Sequence, residues 1–143
     1  MIDVEGDLTW TAHDRSRIKR LRINGKEQIA SPDSTTSPTD ASVAYTVDFT
    51  RQHHKVTLAS ATTTAFNFSA QSNFIEGGRV LVEIHNNTGN SFTPTGVASV
   101  FKLQNGLAFS ALATGNVMMV ELLGLKRVAG ANRGLVTGIW IAS

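Results

Sequence analysis

Short runs in which apolar and polar residues alternate fill the chain from Val43 onward, and they constrain the fold more than any other feature. In VAYTVDF (43–49) and RVLVEIHN (79–86) every second residue is large and apolar, which is the period of a β-strand with one buried face. Similar runs follow one another between turns that contain Gly or Asn: KVTLAS, TTTAFNFSA, VASVFKL, LAFSAL, NVMMVELLGL and LVTGIWIA. Several short strands at this spacing predict an all-β sandwich or small barrel.

A polar segment rich in Pro, Ser and Thr, SPDSTTSPTDAS (31–42), precedes these runs. Its composition is typical of a linker or surface loop. The piece before it has about thirty residues, which is too few to build a core of its own. We therefore predict an N-terminal attachment segment with its linker over residues 1–42 and a β-sandwich domain over residues 43–143.

The sequence RLRINGKEQIA, ending at Ala30, predicts a β-hairpin in the N-terminal segment. Asn-Gly is the favoured pair for a two-residue turn, because both turn positions need a positive φ. A short helix over DRSRIKRL, with Asp14 as N-cap, is the alternative. The sequence thus indicates an N-terminal extension or hairpin arm.

Six basic residues occur in the N-terminal segment between positions 15 and 26, with no acidic residue among them. They are Arg15, Arg17, Lys19, Arg20, Arg22 and Lys26. Such a segment could be a solvated edge strand, a docking site for an acidic protein, or a phosphate-binding array. Nucleic-acid binding is the least favoured of these three roles, because no aromatic ring is interleaved to stack on bases and the net charge is only +2.

The body, by contrast, carries few charges. Between Val56 and Leu125 the charged side chains are Glu76, Arg79, Glu83, Lys102 and Glu121. A free-standing soluble surface normally holds a larger share of charge. The body surface is therefore expected to be rich in Ser, Thr and Asn, to be buried partly against copies of the same chain, or both.

Residues suited to catalysis or metal binding do not form a convincing group. His53 and His54 are adjacent, so on a strand they point to opposite faces, and the sequence has no cysteine. Glu83 and Glu121 lie within apolar strands, which fits either a cleft or the solvent side of an alternating strand. We expect no catalytic residue, no metal and no cofactor. No run approaches the ~20 apolar residues of a membrane span, so no membrane partner is expected.

The order of strands in the body resembles a module of bacteriophage tail fibres, head fibres and capsid-associated proteins. The resemblance runs from about Ala44 to Ser143. It rests on YTVDF, KVTLAS, the Phe-rich TTTAFNFSA, a Gly-Gly turn, RVLVEIHNNTG and the closing GLVTGIWIAS with Trp140. It implies an antiparallel, jelly-roll-like β-sandwich that assembles as a homotrimer and serves a structural or attachment role on the virion.

The short N-terminal segment lacks the long shaft typical of tail fibres, which favours a capsid decoration protein. The basic segment would then dock on a phage capsid or tail protein after assembly in the host cytoplasm. The alternative is a receptor- or glycan-binding module at a tail tip. Its ligand loop would be NTGNSFTPTG, with Asn87, Asn90 and an exposed Phe92 as contacts.

Overall fold

Strands supply all the regular secondary structure in the part of the chain that can be described. A computed structural model describes residues 21–23, 26–28, 34–97, 99–126 and 132–143, and it divides the chain into two compact units, Met1–Ser31 and Pro32–Ser143. The described residues contain no helix, and hence none that could cross a membrane. The chain is therefore strand-rich, as the predicted all-β class requires.

The strands follow the alternating runs closely, and RVLVEIHN matches its strand residue for residue. Their bounds are β1 Leu21–Ile23, β2 Lys26–Gln28, β3 Ser34–Thr36, β4 Ser42–Asp48, β5 His53–Leu58, β6 Ala65–Ser72, β7 Arg79–Asn86, β8 Thr95–Gly96, β9 Phe101–Leu103, β10 Val117–Lys126 and β11 Asn132–Ala142. The predicted strand LAFSAL is wrong. It forms only a bridge from Leu112 to Phe92, and the ring of Phe109 stacks on Phe68 without joining a sheet.

The first compact unit contains the antiparallel pair β1–β2. Ile23 lies opposite Lys26 and Arg22 lies opposite Glu27, which leaves two residues between the strands. This register confirms the predicted hairpin, although Asn24 and Gly25 lie outside the described residues.

The second compact unit contains a six-stranded sheet in the order β3-β5-β7-β10-β11-β9 and a three-stranded sheet in the order β4-β6-β8. Consecutive strands from β3 to β9 alternate between the two sheets. As a result β3, β5 and β7 are parallel neighbours in one sheet, and β4, β6 and β8 are parallel neighbours in the other.

The predicted antiparallel arrangement is wrong for these strands. Each of these strands returns to its own sheet after one passage through the other sheet, so it runs in its original direction, whereas two strands joined by a direct hairpin are antiparallel. In the described part of this unit, antiparallel pairing involves β10, which pairs with both β7 and β11. The β10–β11 hairpin lies between β7 and β9, and β9 runs parallel to β11. The sheets are therefore mixed, and they differ from an antiparallel jelly roll.

One hydrophobic cluster receives the buried side chains of both sheets. Phe68 of β6 packs against Phe101 of β9 with ring centroids 5.6 Å apart, and Tyr45 of β4 stacks on Phe66 at 5.7 Å. The buried apolar residues of the cluster are Val43, Tyr45, Val47, Phe49, Val56, Leu58, Phe66, Phe68, Val80, Val82, Ile84, Phe92, Phe101, Leu112, Met118, Val120, Leu122 and Val136. The alternation of apolar residues correctly predicted this inward face.

Part of the predicted linker is attached to the β body. Ser34–Thr36 pairs with β5, and the carbonyl of Asp40 accepts a 2.8 Å hydrogen bond from the Thr63 hydroxyl. The backbone nitrogen of Thr64 donates to the carbonyl of Ala41 at 2.9 Å. Residues 34–41 therefore contribute to the second compact unit, and the division at residue 42 stays a prediction.

Candidate functional site

The loop predicted to bind a ligand is held by its own hydrogen bonds. Phe92 is only 6% exposed, so the expectation of an exposed aromatic ring is wrong: its side chain belongs to the core. The Asn90 side-chain amide donates to the carbonyls of Ala61 and Thr63, both at 3.0 Å. Asn87 is exposed. Of the three predicted contacts, Asn87 is exposed, Asn90 is partly buried with its amide already bonded, and Phe92 is buried.

A buried residue that the sequence reasoning did not single out organises this loop. Asn86 is fully buried, and its amide donates to the carbonyls of Asn90 at 2.8 Å and Leu112 at 2.9 Å. Its oxygen accepts from the backbone nitrogen and the hydroxyl of Thr88. The loop is therefore built around a satisfied polar core, as buried polar groups require.

The basic residues predicted to dock a partner lie largely outside the described residues. Arg15, Arg17, Lys19 and Arg20 fall there, as does most of the alternative helix. Arg22 and Lys26 lie in β1 and β2. Their docking role stays a prediction.

An apolar surface lies on the face of the six-stranded sheet that points away from the core. On β10 the residues that alternate with the buried ones are themselves apolar except for Glu121, and the register places Met119 opposite Trp140 and Leu123 opposite Leu135. We call Val117, Met119, Leu123, Leu135 and Trp140 the hairpin face. Large apolar side chains on a solvent side are typical of protein interaction surfaces.

Trp140 is the most exposed member of the hairpin face. Half of its surface is accessible, and its indole lies over Gly138, where an added Cβ would collide with the ring. The missing side chain at Gly138 lets the indole lie flat along the strand. Leu125, at 40% exposed, extends the apolar surface on β10.

A cluster of titratable side chains lies beside the hairpin face on the same side of the sheet. The Nε2 of His53 lies 2.8 Å from Glu83 Oε1, and the Nε2 of His85 lies 3.0 Å from Glu83 Oε2. An ionised carboxylate can only accept, so both imidazoles donate from Nε2. We call these three residues the His-Glu-His cluster. Their side chains are only 13–23% exposed, and Lys55 lies opposite Glu83 in the register.

The environment of Glu83 favours its ionised form. Burial by itself would raise the pKa of this carboxyl, but the hydrogen bonds from His85 and His53 outweigh burial and lower the pKa below its ordinary value of 4.5. The lowered pKa means that the folded protein keeps Glu83 charged at pH values where the unfolded chain has begun to take up a proton.

The substitution Glu83→Gln should therefore destabilise the protein in a pH-dependent way. A group whose pKa is lowered on folding stabilises fully above its unfolded value, and the contribution disappears as the pH falls through the folded value. We expect the free energy of unfolding of the variant to be lower by about 1 kcal/mol near pH 7. This is less than a fully buried charged hydrogen bond contributes, because the site is partly exposed. Urea denaturation at a series of pH values checks this, and the difference should shrink progressively as the pH falls below the ordinary carboxyl value of 4.5. A difference that does not change with pH would contradict it.

Glu121, the second acid within an apolar strand, also lies on the outer face of the sheet. It accepts a 2.9 Å ion-pair hydrogen bond from Arg79, whose side chain is 67% exposed. The register places Glu121 between Leu81 and Gly138. The ion pair thus lies between Met119 and Leu123 along β10, while Glu83 of the His-Glu-His cluster remains directly opposite Met119.

The two adjacent histidines point to opposite faces, as predicted. His54 is buried, and its Nε2 donates to the carbonyl of Asp48 at 3.0 Å, which leaves Nδ1 to accept from the Tyr45 hydroxyl at 2.8 Å. This histidine joins β5 to β4 in the core. Among the described residues, no three His, Cys, Asp or Glu side chains are placed to hold a metal ion.

A signal for the hairpin face is present in the sequence. NVMMVELLGL does not alternate, because residues on both faces of the strand are apolar, unlike those of VAYTVDF. Such a strand is expected to be covered on both sides.

Comparison with protein-family models, with curated proteins and with solved structures gave no match.

Proposed function

We propose that the chain is a non-enzymatic structural protein of a phage virion, most simply a capsid decoration protein. Its β body associates with copies of itself as a homotrimer through the hairpin face, and its two sheets pack as a sandwich. The basic N-terminal segment docks on a capsid or tail protein. The observation that carries this proposal is the apolar hairpin face on a body that is poor in charge.

The composition of the hairpin face supports a protein partner. Trp and Met are enriched at protein interfaces, and exposed Trp residues often contribute a large share of the binding free energy. Each Å² of apolar surface removed from water contributes about 25 cal/mol. Trp140 and Leu123 therefore gain free energy when a second apolar surface covers them.

The basic N-terminal segment raises the affinity of the trimer for the shell because each of the three chains carries one. Three chains present three basic segments, so weak individual contacts with an acidic shell combine through a high effective concentration. Binding of this kind stabilises the shell proteins that the trimer contacts. The sandwich arrangement is supported by the ring contact between Phe68 and Phe101, which joins the two sheets.

Sedimentation velocity on the full chain tests the self-association. We expect a species of three times the 15.3 kDa chain mass. Leu123→Glu and Trp140→Ser should each shift it to monomer, because both place a polar group in the proposed contact.

The matched control is Thr46→Glu, which changes an exposed residue of β4 in the other sheet and should leave the trimer intact. A wild-type chain that sediments as a monomer at micromolar concentration would refute the proposal. So would a trimer that tolerates both hairpin-face substitutions.

A further inference from the structure

The His-Glu-His cluster and the hairpin face form one continuous surface. The register across β5, β7, β10 and β11 aligns Lys55, Glu83, Met119 and Trp140 in a single row. Neighbouring strands in a sheet lie about 4.8 Å apart, so Glu83 lies one strand from Met119 and two from Trp140. Whatever covers Trp140 and Met119 therefore comes close to Glu83.

A stable interface is larger than the hairpin face, so a contact between copies must also cover the His-Glu-His cluster. β10 has 10 residues, which at a rise of about 3.3 Å each gives a hairpin about 33 Å long. Two strands are about 10 Å wide, so the hairpin alone offers a few hundred Å², against about 800 Å² per partner in a standard interface. A contact centred on the hairpin must extend over its neighbours, and β7 with the cluster is the neighbour on the β10 side.

The charge of this surface depends on its histidines. With both imidazoles neutral, Glu83 is balanced by Lys55, and Arg79 is balanced by Glu121. Protonation of His53 and His85 adds one positive charge on each side of this row, on the same face of the sheet. The titratable and charged groups facing Glu83 from the neighbouring strands are His53 and Lys55 on β5, Arg79 and His85 on β7, and Glu121 on β10.

We propose that the His-Glu-His cluster makes self-association pH-dependent, so that added positive charge on His53 and His85 in acid loosens the contact between copies. This inference rests on the proposed self-association. Its physical reason is that charges at an interface must lose water or face like charges on the next copy. The hydrogen bonds to Glu83 remain in the protonated form, so the fold itself is retained.

Sedimentation velocity at about pH 7.5, 6.5 and 5.5 tests the proposal with the full chain at constant ionic strength. We expect the wild-type self-association constant to fall about tenfold across this range, the equivalent of one pKa unit of linkage. The double variant His53→Gln, His85→Gln keeps neutral amide donors for Glu83, and its own association constant at pH 7.5 is the reference for its behaviour at lower pH. It should show no pH dependence. Near-UV circular dichroism at pH 5.5 confirms that each protein stays folded.

The possible outcomes distinguish failure of the pH dependence from failure of the proposed self-association. A wild-type oligomer whose association constant does not change with pH overturns the pH inference and leaves self-association standing. The same holds if the double variant retains the wild-type pH dependence, because the titration then belongs to other groups. A wild-type monomer at every pH overturns self-association itself. If the double variant does not fold, the single variants replace it, and each should reduce the pH effect to about threefold.

Discussion

Alanine in place of Phe68 is expected to lower the free energy of unfolding by about 4 kcal/mol, because a large buried ring is removed and leaves a cavity. Phe68 is fully buried in β6. Its ring lies 5.1 Å from that of Phe66, 5.6 Å from that of Phe101 and 5.9 Å from that of Phe109. It thus contacts its own strand, the other sheet and the loop before β10, so no single element can move in to fill the space.

Urea denaturation followed by tryptophan fluorescence measures this loss. Phe68→Leu, which keeps most of the volume, should cost about 1 to 2 kcal/mol. Leu103→Ala is the exposed control: Leu103 is 39% exposed, so it should cost less than about 1 kcal/mol. A loss below about 2 kcal/mol for Phe68→Ala would mean that the two sheets do not share a tightly packed core.

The sequence was sufficient to place the longer strands of the body but not to predict the parallel pairing between them. Alternation in VAYTVDF and RVLVEIHN located β4 and β7, because one face of each strand is buried and the other is not. Nothing in a single strand records which neighbour it will have. Apolar residues alternate with a period of two in parallel and antiparallel strands alike. The pattern therefore could not show that β4 pairs in parallel with β6 and not with the next strand in the chain, β5.

The candidate site was only partly predictable for a related reason. The apolar residues on both faces of β10 were visible in the sequence, but their outward neighbours depend on which strand lies beside β10. Met119 meets Trp140 through the hairpin register, whereas Glu83 meets His53 through a crossover pair thirty residues apart in sequence. Long-range contacts of the second kind require the topology. The motif Glu83-x-His85 lies within one strand, so the sequence already indicates that these two side chains share one face.

Polar residues such as those of the NTGNSFTPTG loop can stabilise a folded core as well as bind a ligand. Asn and Thr are common in binding loops, and the same side chains cap backbone groups in turns. In this loop Asn86 and Thr88 are buried and bonded, and Asn90 donates to carbonyls of another turn. Only the burial of these atoms distinguishes the two roles.

Asn86→Ala should accordingly destabilise the protein by about 3 kcal/mol, although the residue looks like one more polar residue at the end of a strand. The substitution removes one donor each from the carbonyls of Leu112 and Asn90, which keep the Phe92 amide and the Thr88 hydroxyl, and it leaves the backbone nitrogen of Thr88 without its acceptor. Each buried group that loses its partner costs about 1 to 3 kcal/mol, partly relieved when water enters. Thermal and urea denaturation both measure the loss.

Asn87→Ala is the matched control, because the neighbouring residue is of the same type and is exposed. It should change stability by less than about 0.5 kcal/mol. Asn86→Asp refines the comparison, since a carboxylate keeps the two bonds from Thr88 but cannot donate to the two carbonyls. It should be worse than alanine near pH 7, where the charge faces carbonyl oxygens, and should recover partly near pH 4 as the carboxyl takes up a proton. Equal effects at positions 86 and 87 would show that the loop does not depend on its buried amide, and would reopen its assignment as a ligand-binding loop.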